Sequence, residues 1–519
     1  MVSGHLEVER KYDVDADFVL PGLTGVAGVA AVDEPVEHQL SAVYHDTADL
    51  RLLRARVTLR RRAGGADEGW HLKLPAGSAR RELHAPLGRA VKKAPAALLG
   101  PVTGILRRAA TGPVAGLDTR RTVTTLRDGD GRALAEVADD TVTATVPSVG
   151  TGGAPAEVHS WREVEVELVG GDEAVLAAVG EALTAAGARP AEAASKVGRV
   201  LAGRLASLDS PGEPEADGQA GGKRGTKRRP SAGRVVRQAL ADQLAALEAA
   251  DVMLRTEQPD AVHQVRVAAR RLRSTMAAFR SVLDRETTTP LREELSWLGG
   301  ELSAARDAEV ALAHLRELVA AQPVELVPGP VAARIQQAQL RSGREGLDRA
   351  LATVGDARYL RLLDALHALV AQPPYTDRAG DSARPVLRGA MARSVRRLGR
   401  RLDTARSASD DAREQALHDV RKAAKRVRYT AEVVGEEATG GGRSRKAAKR
   451  VQKVLGELQD TTVTREHCRR LGMAAATAGE NAFTYGLLHA LEERRAADAE
   501  AEFWRRLPKA RKVLRRATR

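Results

Sequence analysis

The chain has 519 residues, too many for one ordinary core, and its net charge of +14 points to a polyanionic partner. Its single cysteine, Cys468, excludes an intrachain disulfide and fits a reducing cytoplasm, and no apolar run is long enough to cross a membrane. Aromatic residues make up only 3%, which disfavours stacking along a single nucleic-acid strand, so nucleic acid is the weaker choice of polyanion.

The first residues, MVSGHLEVERKY, have no apolar leader and already alternate like a strand, so the protein reads as soluble and cytoplasmic. Up to residue 204 the pattern is mostly period two. LEVERKYDV, VTLRRRA, WHLKLPA, RTVTTLRD, ALAEVADDTVTATV and WREVEVELV are strand candidates between Gly, Pro and Asp turns. Alternation puts Glu7, Glu9 and Lys11 on one strand face, Arg60 and Arg62 on another, His71 and Lys73 on a third, and Glu163, Glu165 and Glu167 on a fourth. For one strand, a solvated outer face explains such a pattern. The sorting of acids onto the first and late strands, and of cations onto the middle ones, is better explained by charges pointing into a closed barrel. Charges confined there need partners, and a polyvalent anion with a divalent metal supplies them. Carboxylate oxygens suit Mg²⁺ or Mn²⁺, while guanidinium and ammonium groups suit phosphate oxygens.

These motifs resemble the CYTH, or triphosphate tunnel metalloenzyme, family: ExExK at 7–11, YHDT at 44–47, LRRR at 59–62, WHLKLP at 70–75, RRTV at 120–123, EVADD at 136–140, EVEVEL at 163–168 and SK at 195–196. The resemblance implies an eight-stranded antiparallel β-barrel enclosing a charged tunnel. It implies metal binding by Glu7, Glu9, Glu165 and Glu167 with help from Asp140; Glu163 has the same parity, so the acidic pair could lie one step earlier. It also implies phosphate binding by Lys11, Arg60, Arg62, Lys73, Arg121 and Lys196, with Arg120 beside Arg121 leaving that choice open by one residue. Glu7, Glu9 and Lys11 would carry the catalytic signature. The implied activity is metal-dependent triphosphate hydrolysis, with inorganic tripolyphosphate preferred, because Thr124 stands where related sequences often place an aromatic residue. Thiamine or nucleoside triphosphate hydrolysis, adenylate cyclisation and a non-hydrolytic polyphosphate-binding scaffold are the alternatives.

Residues 205–232 are rich in Pro, Gly, Ser and charge without apolar period, and read as a flexible linker. The charge divides there. Residues 1–205 hold 25 Lys+Arg and 27 Asp+Glu, a net of −2, which leaves 57 and 41, a net of +16, for the rest.

From 233 to 519 the pattern is helical. HQVRVAARRLRS, from His263, and HDVRKAAKRVRY, from His418, write one cationic phrase twice. At 100° per residue, His263, Arg266, Arg270 and Arg273 fall in one stripe about 80° wide, and His418, Arg421, Lys425 and Arg428 repeat it. Unrelieved like charge along a helix opposes its stability, so the stripes ask for an anion. LSAARDAEV at 302–310 aligns without gaps to LGELQDTTV at 455–463, which makes the halves internal duplicates, each long enough for a four-helix bundle. Asp307 and Asp460 are candidate partners for stripe arginines, whereas Lys422, Arg426 and the other scattered cations read as ordinary surface charge. This half resembles the CHAD family, the conserved-histidine α-helical domain, through HxxRVxxRRLRS, Arg306–Asp307 and the second His-Arg set. The resemblance implies binding of inorganic polyphosphate, and with it an association with polyphosphate granules.

Overall fold

The computed structural model describes residues 3–65, 67–77, 79–87, 92–147, 155–209, 230–435 and 441–516, without the side chains of 304–307, 309, 411, 441–444 and 514–516. Two compact units divide the chain, Met1–Gln219 and Ala220–Arg519. Residues 210–229, the middle of the linker stretch, lie outside the described residues. On either side of them the chain is helical, to Asp209 and from Ala232.

The first unit is one antiparallel sheet. Its strands are β1 (Ser3–Glu7), β2 (Glu9–Val14), β3 (Ala31–Val32), β4 (Val36–Asp46), β5 (Thr58–Ala63), β6 (Gly69–Ala76), β7 (Ala79–Pro86), β8 (Gly112–Arg127), β9 (Ala133–Val146), β10 (Glu157–Leu168) and β11 (Arg189–Pro190). Their order is β1-β7-β6-β5-β4-β8-β9-β10-β2-β11, with β3 beside β8. β1 and β2 are a single run of chain, interrupted only at Val8, that pairs with β7 on one side and β10 on the other. This run therefore joins the two ends of the sheet. Counted as one strand with β4 to β10, it closes an eight-stranded antiparallel barrel, and β3 and β11 are two-residue additions.

β4 and β7 are not among the strands that alternation picks out. In β7 both faces carry charge, Arg80 and Glu82 on one and Arg81 on the other, so no apolar face marks it. Elsewhere the pattern holds: Val164 and Val166 of β10 are fully buried on the outer face, beneath the helix Glu173–Ala185.

Helices α1 (Arg51–Arg54), α2 (Ala96–Leu99) and α3 (Thr103–Leu106) are single turns, and α4 (Glu173–Ala185) begins at Asp172, whose carboxylate accepts from the amides of Ala174 and Val175. α4 lays Val175, Leu176, Val179 and Leu183 over Tyr12, Val164 and Val166. Gly180 is what lets it approach. α5 (Lys196–Val200) and α6 (Ala202–Asp209) follow. Their Val197, Leu201, Leu205 and Leu208 pack with Val142, Ala144 and Val146, which share the inward parity of Asp140, so the barrel interior is apolar at that end.

The second unit is helical, as its sequence implies. Its helices are α7 (Ala232–Arg255), α8 (Ala261–Ala278), α9 (Arg285–Glu301), α10 (Ser303–Ala320), α11 (Val331–Gly355), α12 (Ala357–Ala371), α13 (Ala383–Ser407), α14 (Asp410–Val434), α15 (Gly441–Thr477) and α16 (Phe483–Arg516). Each duplicate supplies four rods. In the first, the third rod breaks at Leu302 into α9 and α10, and the fourth at Asp356 into α11 and α12. In the second they run unbroken as α15 and α16. The packing does not follow the duplication boundary. One core unites α7, α8, α9 and α12 with α13, α14 and α15, and a second joins α10 and α11 to α15 and α16.

A Cβ at Gly180 would overlap the Tyr12 hydroxyl. Gly180→Ala should therefore lift α4 from the barrel and lower unfolding free energy by about 1–3 kcal/mol, read by denaturant titration of the full chain.

Candidate active site and anion-binding pocket

A cavity of about 320 Å³ in the barrel brings together Glu7, Glu9, Lys11, Arg60, Arg62, Lys73, Arg121, Glu165, Glu167 and Lys196. The sheet register produces these neighbours. Lys11 lies opposite Glu165, Glu9 opposite Glu167, Arg121 opposite Asp140, and Asp140 opposite Glu163. Arg121 lines the cavity, whereas Arg120 is exposed. Thr124 has the opposite parity to Arg121 and does not line the cavity, so it says nothing about stacking inside and lends no support to an inorganic substrate.

Asp140, Glu163 and Glu165 place ligand oxygens within 4.8 Å of one another, and all three are buried. Lys196, on the first turn of α5 behind the Ser195 cap, reaches Asp140 at 3.0 Å, Glu163 at 2.6 Å and Glu165 at 2.7 Å. Arg121 holds Asp140 at 2.8 and 2.6 Å through two nitrogens and Glu165 at 2.6 Å. Lys11 pairs with Glu165 and, at 3.1 Å, with Glu9. Burial alone would raise Glu165 and Asp140, but these cations hold both below the usual carboxylate range. Burial would likewise lower Lys196, yet its three carboxylates hold it well above an ordinary lysine.

Glu82 is a residue that the sequence motifs do not single out. It lies on β7, 3% exposed, with Lys73 at 3.0 Å and His71 in contact, and with His5 and Glu7 it forms a second group of metal-competent ligands. Lys73 also pairs with Glu7 at 2.6 Å. Burial first, then the hydrogen bond with Glu82, pushes Glu7 up to about 8. His71 is buried between Glu82 and the Asp67 carbonyl, 2.9 Å from its Nε2, and burial pushes it down to about 4, which makes it a support for Glu82 rather than a proton carrier.

The donors in both groups are carboxylate oxygens apart from His5, as a hard divalent cation such as Mg²⁺ or Mn²⁺ requires. Every carboxylate of the deeper group is now paired with a lysine or arginine that also suits phosphate oxygens. Drawing those cations onto an anion strands the carboxylates unless a metal replaces them, so the two ligands must be linked.

In the helical unit both stripes face one cavity of about 880 Å³. It is lined by His263, Arg266, Arg270 and Arg273 from α8 and by His418, Arg421 and Lys425 from α14. Arg428 is not brought to it; its guanidinium lies over Tyr429 and 3.7 Å from Glu432, one turn on. Asp460 lines the cavity, while the side chain of Asp307 lies outside the described residues. His314 and Arg495 also line it, although they are distant in sequence from either stripe. His314 pairs with Glu492 at 3.0 Å. The His418 ring contacts Gln459 through Nδ1, and burial lowers its pKa. Burial, then Arg270, Arg421, Arg266 and Arg428, pushes Lys425 down to about 6.

Three expectations follow from these charges. Binding of tripolyphosphate and of Mg²⁺ should each be about tenfold weaker without the other, read by calorimetry. Metal must also displace the Glu7 proton, so Mg²⁺ affinity should rise as pH rises through about 8 and then level; a flat profile would contradict the assignment. In the helical pocket the sign is opposite. An anion favours charged Lys425, so polyphosphate binding above about pH 6 should take up protons and weaken as pH rises, a dependence that Lys425→Arg should remove.

Comparison with known proteins gives matches in both units. A family model described as a CYTH domain matches residues 5–200, and one described as a CHAD domain matches 238–469. An uncharacterized protein of Mycobacterium tuberculosis (strain H37Rv) is 40% identical over 531 aligned positions, covering 99% of this chain and 98% of its own length. Among solved structures, the CHAD domain from the plant Ricinus communis is similar with a TM-score of 0.42 and 26% identity, over 57% of this chain and 97% of that one. PptA from Streptomyces chartreusis gives 0.45 and 20%, over 53% and 98%.

Proposed function

The chain belongs to the family that joins a CYTH domain to a CHAD domain, and on that premise we propose that it is a metal-dependent triphosphatase acting on inorganic tripolyphosphate, with a helical domain that binds inorganic polyphosphate. The observation that carries the proposal is the barrel interior. Two groups of metal-competent ligands stand beside lysines and arginines in the barrel; His5, Glu7, Glu82 and Glu165 line the cavity of about 320 Å³, whereas Asp140 and Glu163 do not.

In this reading Asp140, Glu163 and Glu165, and Glu7 with Glu82, hold divalent metal, and Glu9 and Glu167 complete the acidic wall. Bound metal would neutralise charge on phosphate oxygens and lower the pKa of an attacking water. Lys11, Lys73 and Arg121 leave their carboxylates and turn to the phosphate chain, joined by Arg60 and Arg62. Arg62 lies where burial and then Arg60 push it down to about 10, so an incoming anion relieves that strain on its charge. Lys196, tied to three carboxylates, orients the deeper group before ligands bind and would turn to phosphate oxygens as metal takes those carboxylates. Fixed cations around the terminal phosphate stabilise charge that develops in the transition state, and direct transfer to water requires no covalent intermediate.

In the helical domain, the two stripes converge on one pocket without carboxylates matching them in number, the arrangement a multiply charged phosphate chain neutralises. Salt dependence alone cannot separate this chain from RNA, because both release counterions. Displacement of bound long polyphosphate by RNA at matched phosphate concentration would count against the assignment.

Phosphate release from tripolyphosphate with Mg²⁺ should fall by at least about 100-fold in Glu7→Ala and in Glu165→Gln, and stay within about twofold in His263→Ala. Absence of turnover on tripolyphosphate, thiamine triphosphate and ATP, with tight binding intact, would instead leave the non-hydrolytic scaffold.

A further inference from the structure

The duplicated stripes do not account for all the cations on the helical domain. α13 carries Arg393, Arg396, Arg397 and Arg400 at spacings of three, four and seven residues, so all four share one face over about 10 Å of helix. They line a groove of about 400 Å³ together with Arg280, Arg292 from α9 and Arg426 from α14. Among the described residues, no lysine, histidine or carboxylate lines that groove.

We propose that this arginine groove is an outer extension of the polyphosphate site, taking phosphates of a long chain after they leave the central pocket, and that it makes binding depend on chain length. The inference rests on the polyphosphate reading of the helical domain.

Three observations carry it. The first is continuity. A cavity of about 390 Å³ shares Arg273, Ser274 and Lys422 with the central pocket, and Arg292, Arg397 and Arg426 with the groove. Glu293 and Asp419 also line it, the latter paired with Arg401 at 3.3 Å and Lys422 at 3.6 Å, so an unbranched anion can pass from one to the other along cations that outnumber these two carboxylates.

The second is unrelieved charge. Among the described residues, Arg280, Arg292, Arg396, Arg397, Arg400 and Arg426 have no carboxylate partner, and the Arg292 Nε is buried without an acceptor. Burial, then Arg397, Arg292, Arg280 and Arg273, pushes Arg426 down to about 10. The central pocket can relieve repulsion by releasing a proton from Lys425, but guanidinium groups stay protonated at any ordinary pH. Relief in the groove must come from an anion, and planar guanidinium forks fit phosphate oxygens.

The third is asymmetry. α7 and α13 begin at equivalent points, after Ser231 and Ser382, which bridge to each other. Aligned from there without gaps, Leu240, Leu244 and Leu247 fall on Met391, Val395 and Leu398, all buried. In that register Arg393, Arg396, Arg397 and Arg400 fall on Asp242, Ala245, Ala246 and Ala249. Duplication thus kept the stripes but not the groove, so the outer track leaves the pocket on one side only. Arg426, which scattered-charge reasoning leaves as an ordinary surface residue, belongs to this track.

The test writes the alanines of the first half into the second: Arg396→Ala, Arg397→Ala and Arg400→Ala together, in the full chain without divalent metal. Alanine is favourable at exposed helix positions, so circular dichroism should be unchanged; should the triple variant misfold, Arg400→Glu alone replaces it. Affinity for long-chain polyphosphate should fall about tenfold, with a shallower salt dependence, while affinity for tripolyphosphate stays within about twofold. Unchanged long-chain affinity, or equal losses for both ligands, overturns the inference. So does displacement of long polyphosphate from the wild-type chain, but not from the variant, by single-stranded RNA. The reference variant is Arg270→Ala with Lys425→Ala, which should weaken long-chain binding and remove one of two tripolyphosphate sites resolved by calorimetry, the barrel being the other; if it does neither, the polyphosphate reading itself fails, whatever the groove variant does.

Discussion

A charge enclosed by a closed sheet must be neutralised, and the first domain is arranged around that obligation. Asp140 is fully buried and Glu7, Glu82, Glu163 and Glu165 nearly so, inside a barrel whose apolar faces point outward. Each therefore leans on a lysine or arginine from another strand or from α5. Such pairs contribute little net stability, because desolvation offsets their attraction. What they provide is a set of poised donors and acceptors, any of which can exchange its partner for a phosphate oxygen or a metal. The same bonds tie Lys196, and with it the helix that closes the apolar end, to the barrel wall.

The helical domain meets the opposite situation. Its cations are gathered with few carboxylates among them, so repulsion is left standing in the unliganded protein. Apolar packing beneath holds the helices together despite it: Val265, Ala269 and Leu272 are buried under one stripe, Val420, Ala424 and Val427 under the other. Because both cores draw on both duplicates, the two stripes are fixed against one pocket instead of standing on separate bundles. One domain thus holds balanced charge, and the other leaves charge unbalanced.

Much of this was legible in the sequence, for identifiable reasons. Period-two alternation with sorted charge located the inward faces of β2, β5, β6 and β10, since parity alone decides which side a residue takes. Glu82 was not legible. It is a lone carboxylate in ARRELHAP, where Arg81 on the outer face removes the apolar contrast that marks a strand. His314 and Arg495 were missed because only the fold of the long helices carries them to the pocket. Arg428 shows the limit of angular reasoning: it lies at the edge of its stripe, where Glu432 and Tyr429 are nearer than the pocket. Thr124 shows the limit of motif spacing, since an odd offset from Arg121 places it on the other face of β8.

The sequence by itself determined the two domains, the eight-stranded barrel through its resemblance, the helical duplication, and which side chains share a face, because periodicity and parity are local properties of the chain. Tertiary structure alone decided which faces meet. Closure through Val8 sets β1 against β7 and β2 against β10, and so brings Glu7 beside Glu82 and Lys11 beside Glu165. The packing of α13 against α14 and α8, with Arg292 of α9 on the rim, turns seemingly scattered arginines into one groove. Those meetings depend on register and on contacts between residues far apart in the chain, which no local pattern encodes.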